Sequence, residues 1–349
     1  MSDVKHAAQI TVAGAEYRPY RYAPQRDPAR RDGKDQASEM ARIMREVFLN
    51  RVYADELRAE LEHSPADVLL VDQMLMMAQV AAESTGVPTA ILWHTVYGRV
   101  DDLRRIGGPL LDQLNALRVE KGLVRVADLR KSVERVDAIL AFTYEEFDMV
   151  PADAPKQLHY VGPLACVPQE PASYALPWAE DDPRPLIVVS YSTTFQDQVG
   201  TLQRIADAVA GLDARVLLSR GEAIAADELR LPDNVVAERF VPHAAVLPHA
   251  RLLVTHAGHG TVMAAVTAGV PMVCTPMGRD QYAVSECVER LGLGVVAAMT
   301  AASSELRTII SAALDDEALR ERARHFAAGL DVEAGLRRAI QVLEDLPCP

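Results

Sequence analysis

The chain has 349 residues, of which 49% are hydrophobic and 24% charged, so it is long enough for two globular domains with a full core each. Its net charge of −13 disfavours nucleic acid and anionic membranes as general partners, because both require a basic face. Four scattered cysteines lack the spacing of a zinc site or of a disulfide framework, which indicates plain reduced thiols.

Neither a membrane segment nor a secretion signal is evident in the sequence. No apolar run approaches the length of a membrane helix, and the first residues lack the apolar stretch of a signal peptide. We therefore expect no stable membrane insertion and a cytoplasmic location. The sequence does not indicate an oligomeric state.

Strand-like and helical patterns alternate along the chain. In the first half, helical patterns over residues 40–61, 75–85 and 101–117 are interspersed with strands over 67–71, 89–93 and 138–142. The second half has predicted strands over 186–190, 214–218, 235–238, 252–255 and 270–275, with helices between them. Such alternation predicts an α/β protein with two doubly wound parallel sheets, each covered by helices on both faces.

The two halves are separated by a stretch that is rich in proline and acidic residues. Four prolines lie between Pro163 and Pro185, together with the acidic run 180–182, so neither a long helix nor a central strand fits there. We predict domains over residues 1–165 and 186–330, a linker over 166–185, and a helix over 331–349. Two such domains would place an active site in the cleft between them.

The segment 252–281 carries the strongest chemical signal. A strand leads directly into His256-Ala257-Gly258-His259-Gly260-Thr261 and then into a helical pattern, so unpaired N–H groups and the positive end of the helix dipole would face an anion such as phosphate. Asp280 and Gln281 follow the next strand and could bind hydroxyls of a group attached to that phosphate. A nucleotide sugar has both parts, although glycines after a strand can also serve only a tight turn.

Several submotifs over about forty residues strengthen this interpretation, because their order and spacing are more specific than any glycine pattern alone. They are Phe240-Val241-Pro242-His243, Leu247-Pro248, the segment 254–261, Gly269-Val270-Pro271 and Asp280-Gln281. Together they resemble the donor-binding signature of the GT-B nucleotide-sugar glycosyltransferases of family 1, most of all the actinobacterial branch that modifies natural products and macrolides.

The resemblance implies roles for these residues. His256 would donate a hydrogen bond to the diphosphate, the backbone of Gly258, His259, Gly260 and Thr261 would complete the cradle, and Asp280 and Gln281 would hold the sugar. Phe240, Val241 and His243 match the segment that contacts the base, and Ser192 and Thr193 match a turn that contacts phosphate. Bland alternatives stay open: His256 as a turn cap, Phe240 as a core residue, and Ser192 and Thr193 as ordinary turn residues.

The resemblance also implies that the first domain binds the acceptor, the second binds the donor, and the C-terminal helix crosses back to the first domain. Asp72 ends the strand 67–71, where the family has a carboxylate that orients a histidine base; a helix cap is the alternative for Asp72. The loop that carries this histidine has no counterpart here. We therefore expect at least one βα unit, roughly 30 residues or more, to be missing at the start.

Other histidines do not obviously replace the missing one. His94 and Thr95 follow the strand 89–93 and are predicted to line the cleft; His94 is also a candidate base, with a packed or solvated histidine as the commoner case. A metal site formed by His256 and His259 lacks further ligands nearby, so we predict no metal and no cofactor.

The leading hypothesis is an inverting, metal-independent glycosyltransferase that moves a hexose from a UDP- or dTDP-sugar to a hydroxyl of a lipophilic small molecule. Its partners would be the nucleotide sugar and that acceptor. An alternative is a non-catalytic nucleotide-sugar binder that lacks its base. A weaker alternative is a related epimerase or hydrolase acting on the sugar nucleotide, for which the sequence shows no carboxylate set.

Overall fold

The computed structural model of the protein describes residues 1, 4–24, 36–100, 103, 108–163, 174–191, 196–222 and 224–347. Two parallel sheets organise these residues, as the alternating pattern predicts. The sequence pattern thus gives the correct α/β class.

The first sheet has four parallel strands in sequential order. They are β1 (Leu69–Asp72), β2 (Thr89–Trp93), β3 (Ala138–Ala141) and β4 (Leu158–Tyr160). Every residue of β3 is buried, as expected for an apolar strand covered by helices on both faces. In β1, by contrast, Leu70 is exposed while its neighbours Leu69 and Val71 are buried.

The second sheet has six parallel strands in the order β10-β9-β8-β5-β6-β7. They are β5 (Leu186–Ser190), β6 (Arg215–Ser219), β7 (Val235–Glu238), β8 (Ala250–Thr255), β9 (Met272–Cys274) and β10 (Gly294–Val296). In chain order β5 is the first strand of this sheet and β8 the fourth, yet the two are neighbours in the sheet. The direction in which successive strands are added therefore reverses between them. Ligands of doubly wound sheets bind beyond the carboxyl ends of the strands at this kind of switch point.

Helices cover the two sheets. Those of the first half are Ala7–Val12, Gln36–Ile43 with a π-helical continuation Met44–Phe48, Val52–His63, Met76–Thr85, Pro109–Glu120 and Leu129–Val133. Those of the second half are Val199–Val209, His243–Val246, His259–Ala268, Gln281–Arg290, Ser303–Asp315, Glu317–Ala328 and Ala334–Glu344. Short 3-10 turns occur at Val4–His6, Ala226–Glu228 and Leu247–His249.

Most predicted strands lie within two residues of the observed ones, but β4 and β10 were not predicted. Each has only three residues, which is too short for a pattern of alternating or continuous apolar residues to stand out. The predicted helix over residues 40–61 was also wrong in one respect, since it is divided by a break after Phe48. Residues 101, 102 and 104–107 of the predicted helix over 101–117 lie outside the described residues, and residues 109–117 belong to the helix Pro109–Glu120.

Side chains from both halves join one hydrophobic core. Val96, Tyr144 and Phe147 of the first half pack with a large group of apolar residues from the second half. The Tyr144 hydroxyl lies 3.0 Å from that of Thr267, and the Arg290 guanidinium donates to the Phe147 carbonyl at 3.0 Å. The two halves are therefore connected by packing as well as by polar contacts.

The last helix, Ala334–Glu344, contacts the first sheet. Ala339 is buried in a cluster with Leu140 and Val161, and the Arg338 guanidinium donates to the Tyr160 carbonyl at 2.9 Å. Of the predicted linker, residues 174–185 form neither helix nor strand, and residues 166–173 lie outside the described part of the chain. The domain boundaries stay a prediction.

Candidate functional site

The candidate site begins where β5 and β8 end side by side. Ser190 and Thr255 are paired at the carboxyl ends of these two strands, and His256 follows directly. β5 is buried throughout and β8 from Leu252 onward, so the polar groups that follow the two strands are presented at the edge of the sheet.

His256 is buried against the end of the sheet. Its ring lies 5.4 Å from the Tyr191 ring, measured between centroids, at an interplanar angle of 31°. On another side a Cβ added to Gly258 would lie only 2.6 Å from His256 Nε2, so the backbone of Gly258 approaches the ring closely. Burial lowers the pKa of His256 to about 4, and the imidazole is neutral at pH 7 with one N–H to donate.

The helix His259–Ala268 starts at this point with Gly258 as its N-cap. Its first backbone hydrogen bond runs from the Val262 N–H to the Gly258 carbonyl at 3.0 Å, so the three preceding N–H groups are not part of the helical ladder. Ala257 has a left-handed backbone with φ of 63°, which turns the chain sharply between strand and helix. The arrangement gives a phosphate-sized anion several N–H donors and the positive end of a helix.

His259, on the first turn of this helix, is buried as well. Among the described residues, its Nε2 atom has no hydrogen-bond partner. Burial lowers the pKa of His259 to about 4, against a raising effect of the Asp280 charge, and a charge on His94 lowers the pKa further. The sequence left the direction of this side chain open, and the structure buries it instead of exposing it to solvent.

Asp280 and Gln281 have different environments. The Asp280 carboxylate accepts a hydrogen bond from the Thr95 hydroxyl at 2.7 Å. Gln281 is buried, its Oε1 accepts the N–H groups of Met277 and Gly278 at 2.7 and 3.1 Å, and its Nε2 donates to Gln196 at 2.9 Å. In this structure the Gln281 side chain therefore holds the loop that presents Asp280, a role that the sequence did not predict.

The segment 240–243 divides into exposed and buried parts. Phe240 is 69% exposed, which contradicts the alternative of a core residue and leaves its ring accessible to a base. Val241 is buried in the core, so only its backbone could contact a ligand directly. His243 Nε2 lies 2.9 Å from the Ser190 hydroxyl, and burial lowers the pKa of this ring.

The first half contributes Asp72, His94 and Thr95. His94 Nε2 lies 3.4 Å from Asp72 Oδ1, and Thr95 reaches across to Asp280 as described above. Thr95 and Asp280, which were predicted to face the cleft from the two halves, are thus in contact. Ser192 and Thr193, which were predicted to contact phosphate, lie outside the described residues.

The chain is similar to known proteins in both sequence and structure. Residues 203–336 match the family described as "Erythromycin biosynthesis protein CIII-like, C-terminal domain". The 4'-demethylrebeccamycin synthase of Lentzea aerocolonigenes is 30% identical over 339 residues, covering 86% of this chain and 78% of the synthase. The chain belongs to the GT-B nucleotide-sugar glycosyltransferases of family 1.

Solved structures of this glycosyltransferase's relatives have the same fold. The glycosyltransferase of kitacinnamycin has a TM-score of 0.79 at 25% identity, covering 99% of this chain and 90% of that one. The glycosyltransferase VinC in complex with DTDP has a TM-score of 0.68 at 21% identity, covering 98% and 91%. The predicted GT-B fold, the recognised family and the assignment as a glycosyltransferase enzyme are confirmed.

Three residues of this glycosyltransferase's site were missed. Tyr191 packs on His256 and hydrogen-bonds the Thr275 hydroxyl; Gln196 holds Gln281; and the buried Asp148 carboxylate fixes the loop after β2. Each of the three contacts a residue that is distant in the sequence. Only Tyr191, an aromatic residue directly after β5, gave a local sequence signal.

The described part of the chain offers no metal site and no membrane-spanning helix. There, no group of three or more His, Cys, Asp or Glu side chains could hold a metal ion. No helix of these residues is long and apolar enough to cross a membrane. Cys274 and Cys287 are free and buried, and burial raises the pKa of both thiols to about 12.

Proposed function

We propose that this glycosyltransferase is an inverting, metal-independent enzyme that moves a hexose from a UDP- or dTDP-sugar to a hydroxyl of a lipophilic small molecule. The observation that carries the proposal is the Thr95–Asp280 contact of 2.7 Å. It brings a residue that follows β2 of the first sheet to the carboxylate that follows the proposed phosphate cradle in the second half. A sugar held at Asp280 would therefore lie between the two halves.

The second half would stabilise the leaving group. The N–H groups of residues 258–261 and the neutral ring of His256 are donors placed together, where negative charge develops on the diphosphate as its bond to the sugar breaks. Because backbone donors and the helix dipole meet this charge, the proposal requires no metal ion. EDTA should leave the rate unchanged, and a requirement for Mg²⁺ would contradict this part of the proposal.

The donor base would stack on Phe240. The exposed ring suits either uracil or thymine, since both present a flat face. The complex of VinC with DTDP supports a thymidine nucleotide as one candidate. Gln281 would support the sugar site indirectly by holding Asp280, and a sugar hydroxyl could also compete for the Gln281 amide.

The acceptor would approach from the first half of the chain. His94 and Thr95 belong to the first half, and Thr95 contacts Asp280, whereas the residues of the proposed phosphate cradle belong to the second half. Attack opposite to the departing diphosphate inverts the anomeric centre in a single displacement. A lipophilic acceptor is inferred from the family, and the cytoplasmic location stays a prediction.

The first test is calorimetric titration with UDP and with dTDP, followed by transfer from UDP-glucose or dTDP-glucose to a phenolic acceptor. We expect binding of at least one nucleotide, loss of most affinity in His256→Gln, and a β-glycoside from the α-linked donor, identified by NMR. Binding without transfer would support the alternative of a non-catalytic binder. Failure to bind either nucleotide would contradict the donor site.

A second test concerns the contact between Phe240 and the base of the nucleotide. Removing an aromatic stacking contact costs about 0.5–1.5 kcal/mol, so Phe240→Ala should weaken nucleotide binding by roughly two- to tenfold. Stability should hardly change, because the side chain is exposed. Tyr282→Ala, which also removes an exposed aromatic ring, is the matched control. Equal affinity of both variants with wild type would show that Phe240 does not contact the base.

A further inference from the structure

His259 combines burial with an unsatisfied ring nitrogen. It lies between Gly258 and Gly260 as the first residue of the helix His259–Ala268, and it is only 9% exposed. Among the described residues, its Nε2 atom has no hydrogen-bond partner. Buried polar atoms almost always have a partner, so an atom without one indicates a group that arrives with a ligand.

The proposed phosphate cradle does not require this imidazole. The cradle uses backbone N–H groups at the start of the helix, and any residue at position 259 would supply the same N–H. The space beside it is open, since a Cβ added to Gly260 would meet no group of the described residues within 4 Å, its chain neighbours aside. A small side chain at position 259 would therefore serve the cradle equally well, and the ring has another role.

The direction of the ring follows from its place in the fold. Strands β8 and β9 are paired in parallel, with Thr255 opposite Cys274, so the helices that follow them begin side by side. Asp280 is the N-cap of the second of these helices. Side chains of an α-helix lean toward its N-terminus, so the His259 ring is directed to the end of the sheet where Asp280 also lies.

The charges around the ring agree with this position. Burial lowers the pKa of His259 to about 4, the charge of Asp280 acts to raise it, and a charge on His94 acts to lower it. The imidazole is therefore neutral at pH 7 and is influenced by the carboxylate. A neutral N–H beside an anionic carboxylate favours a ligand group that accepts from the ring and donates to the carboxylate.

A hydroxyl group has this property. It carries one donor hydrogen and two acceptor lone pairs, whereas the oxygens of an ionised phosphate only accept. The Asp280 carboxylate already accepts the Thr95 hydroxyl at 2.7 Å, so a hydroxyl fits on this carboxylate. The sugar of the donor would bring its own hydroxyls to the same place.

We propose that the His259 imidazole is a sugar-binding side chain, an inference that rests on the proposed function. One hydroxyl of the transferred hexose takes the place of the Thr95 hydroxyl, donates to Asp280 and accepts the Nε2–H of His259. The donor is then a nucleotide hexose that retains this hydroxyl, in preference to its deoxy analogue. A site that hydrogen-bonds a hydroxyl discriminates against the analogue without it, because buried polar groups are left unpaired.

The experiment compares the full chain with His259→Phe, His259→Gln and the control His325→Phe. Phe has a ring of similar size but no nitrogen, whereas Gln can place an amide N–H near the position of Nε2. His325 is an exposed histidine on the helix Glu317–Ala328. Titration with UDP and dTDP comes first, because it tests the proposed function separately. All variants should bind the nucleoside diphosphate with the affinity of wild type, since the backbone N–H at position 259 is unchanged.

The sugar nucleotide is then titrated without an acceptor. The probes are the glucose form of whichever nucleotide binds and the set of its monodeoxy analogues, one for each free hydroxyl. One net hydrogen bond corresponds to roughly two- to tenfold in affinity, so His259→Phe should weaken binding of the glucose form by that factor. His259→Gln should retain most of the affinity. With one of the analogues, wild type should bind as weakly as His259→Phe, because the hydroxyl that the ring contacts is missing.

Three outcomes overturn the inference while the nucleotide still binds to wild type. Equal affinity of wild type and His259→Phe for the glucose form shows that the ring does not contact the sugar. An equal loss for the nucleoside diphosphate and for the sugar nucleotide assigns the ring to the diphosphate. A loss that persists with every monodeoxy analogue means that no sugar hydroxyl is the partner. Failure of wild type to bind either nucleotide would contradict the proposed function itself.

Stability distinguishes a binding role from a structural one. In the free protein Nε2 is buried without a partner among the described residues, so its replacement by carbon in His259→Phe should raise the urea midpoint slightly. A histidine kept for an internal hydrogen bond would instead lose stability on the same change. A lower midpoint together with unchanged affinity for the sugar nucleotide would identify His259 as a structural residue and contradict the proposal.

Discussion

His256 and Gly258 must be understood together, because the imidazole occupies the space that a side chain at position 258 would need. A Cβ at Gly258 would lie 2.6 Å from Nε2 and 2.8 Å from Cε1 of His256. Tyr191 packs against the ring, so the ring cannot withdraw in that direction. Glycine is required at position 258 because the His256 ring leaves no room for a Cβ, and not because of a left-handed backbone, since φ of Gly258 is −61°.

We predict that Gly258→Ala displaces the His256 ring and weakens UDP or dTDP binding by about tenfold, or about 1.4 kcal/mol. The ring should move more readily than the backbone, so the protein should stay folded. Calorimetric titration gives the affinity and circular dichroism the fold. Gly200→Ala is the control, because its nearest neighbour would lie at an ordinary 3.6 Å. Equal binding by both variants would show that the His256 position is not required.

Burial of His256 also predicts a pH dependence of stability. The pKa is about 4 in the folded protein and 6.5 in the unfolded chain, so only the unfolded chain binds the proton between these values. The free energy of unfolding should therefore fall by up to about 2 kcal/mol as the pH decreases from 7 to 5, and His256→Gln should remove this part. Urea denaturation at both pH values measures it. Identical pH dependence in the variant would contradict the prediction.

Among elements, the loop between β9 and the helix Gln281–Arg290 shows how one side chain orders a whole segment. Gln281 belongs to the helix, but its amide reaches back to two N–H groups of the loop and across to Gln196. Arg279 in this loop has a left-handed backbone with φ of 58°, a conformation that ordinary side chains rarely adopt. The clamp compensates for this strain and presents Asp280 toward Thr95.

We predict that Gln281→Met destabilises the protein by about 1–3 kcal/mol, because it leaves two N–H groups without their acceptor. The KM for the sugar nucleotide should rise more than the Kd for the nucleoside diphosphate, since Asp280 would contact the sugar only. Denaturant midpoints and steady-state kinetics measure both effects. Gln341→Met, an exposed change on the last helix, is the control. If the KM for the sugar nucleotide and the Kd for the nucleoside diphosphate rise equally, Gln281 supports binding of the diphosphate and not of the sugar.

The elements differ in how well the sequence predicts them. Strands β2, β5 and β7 were predicted with their observed bounds, because each is a clear apolar or β-branched run bounded by turn residues. The short strands β4 and β10 exist through pairing with neighbours distant in the chain, which no local pattern reveals. The candidate site shows the same difference. The place of His256 could be predicted from its position directly after β8, whereas the contact of Gln281 with Gln196 joins residues distant in the chain and could not.

For the whole molecule, the decisive contacts join residues far apart in sequence. Thr95 and Asp280 meet across the two halves, Arg99 pairs with Glu286 at 3.0 Å, and Arg290 binds carbonyls of the first half. A sugar at Asp280 must displace or share the Thr95 hydroxyl, so donor binding and the relative position of the halves are coupled through this contact. Sequence patterns predicted both residues as part of the cleft but could not show that they touch.

The last helix makes the final connection between the halves, and its closest approach is at Gly335. A Cβ there would lie 1.9 Å from the Val161 carbonyl oxygen, a backbone atom that cannot move aside. Gly335→Ala should therefore push the helix away from the first sheet and lower the free energy of unfolding by about 1–3 kcal/mol. Leu336→Ala is the control, because Leu336 is 41% exposed and lies on the same helix. Hydrogen exchange should show faster exchange in the helix Ala334–Glu344 of Gly335→Ala, and equal stability of the two variants would mean that this contact does not hold the halves together.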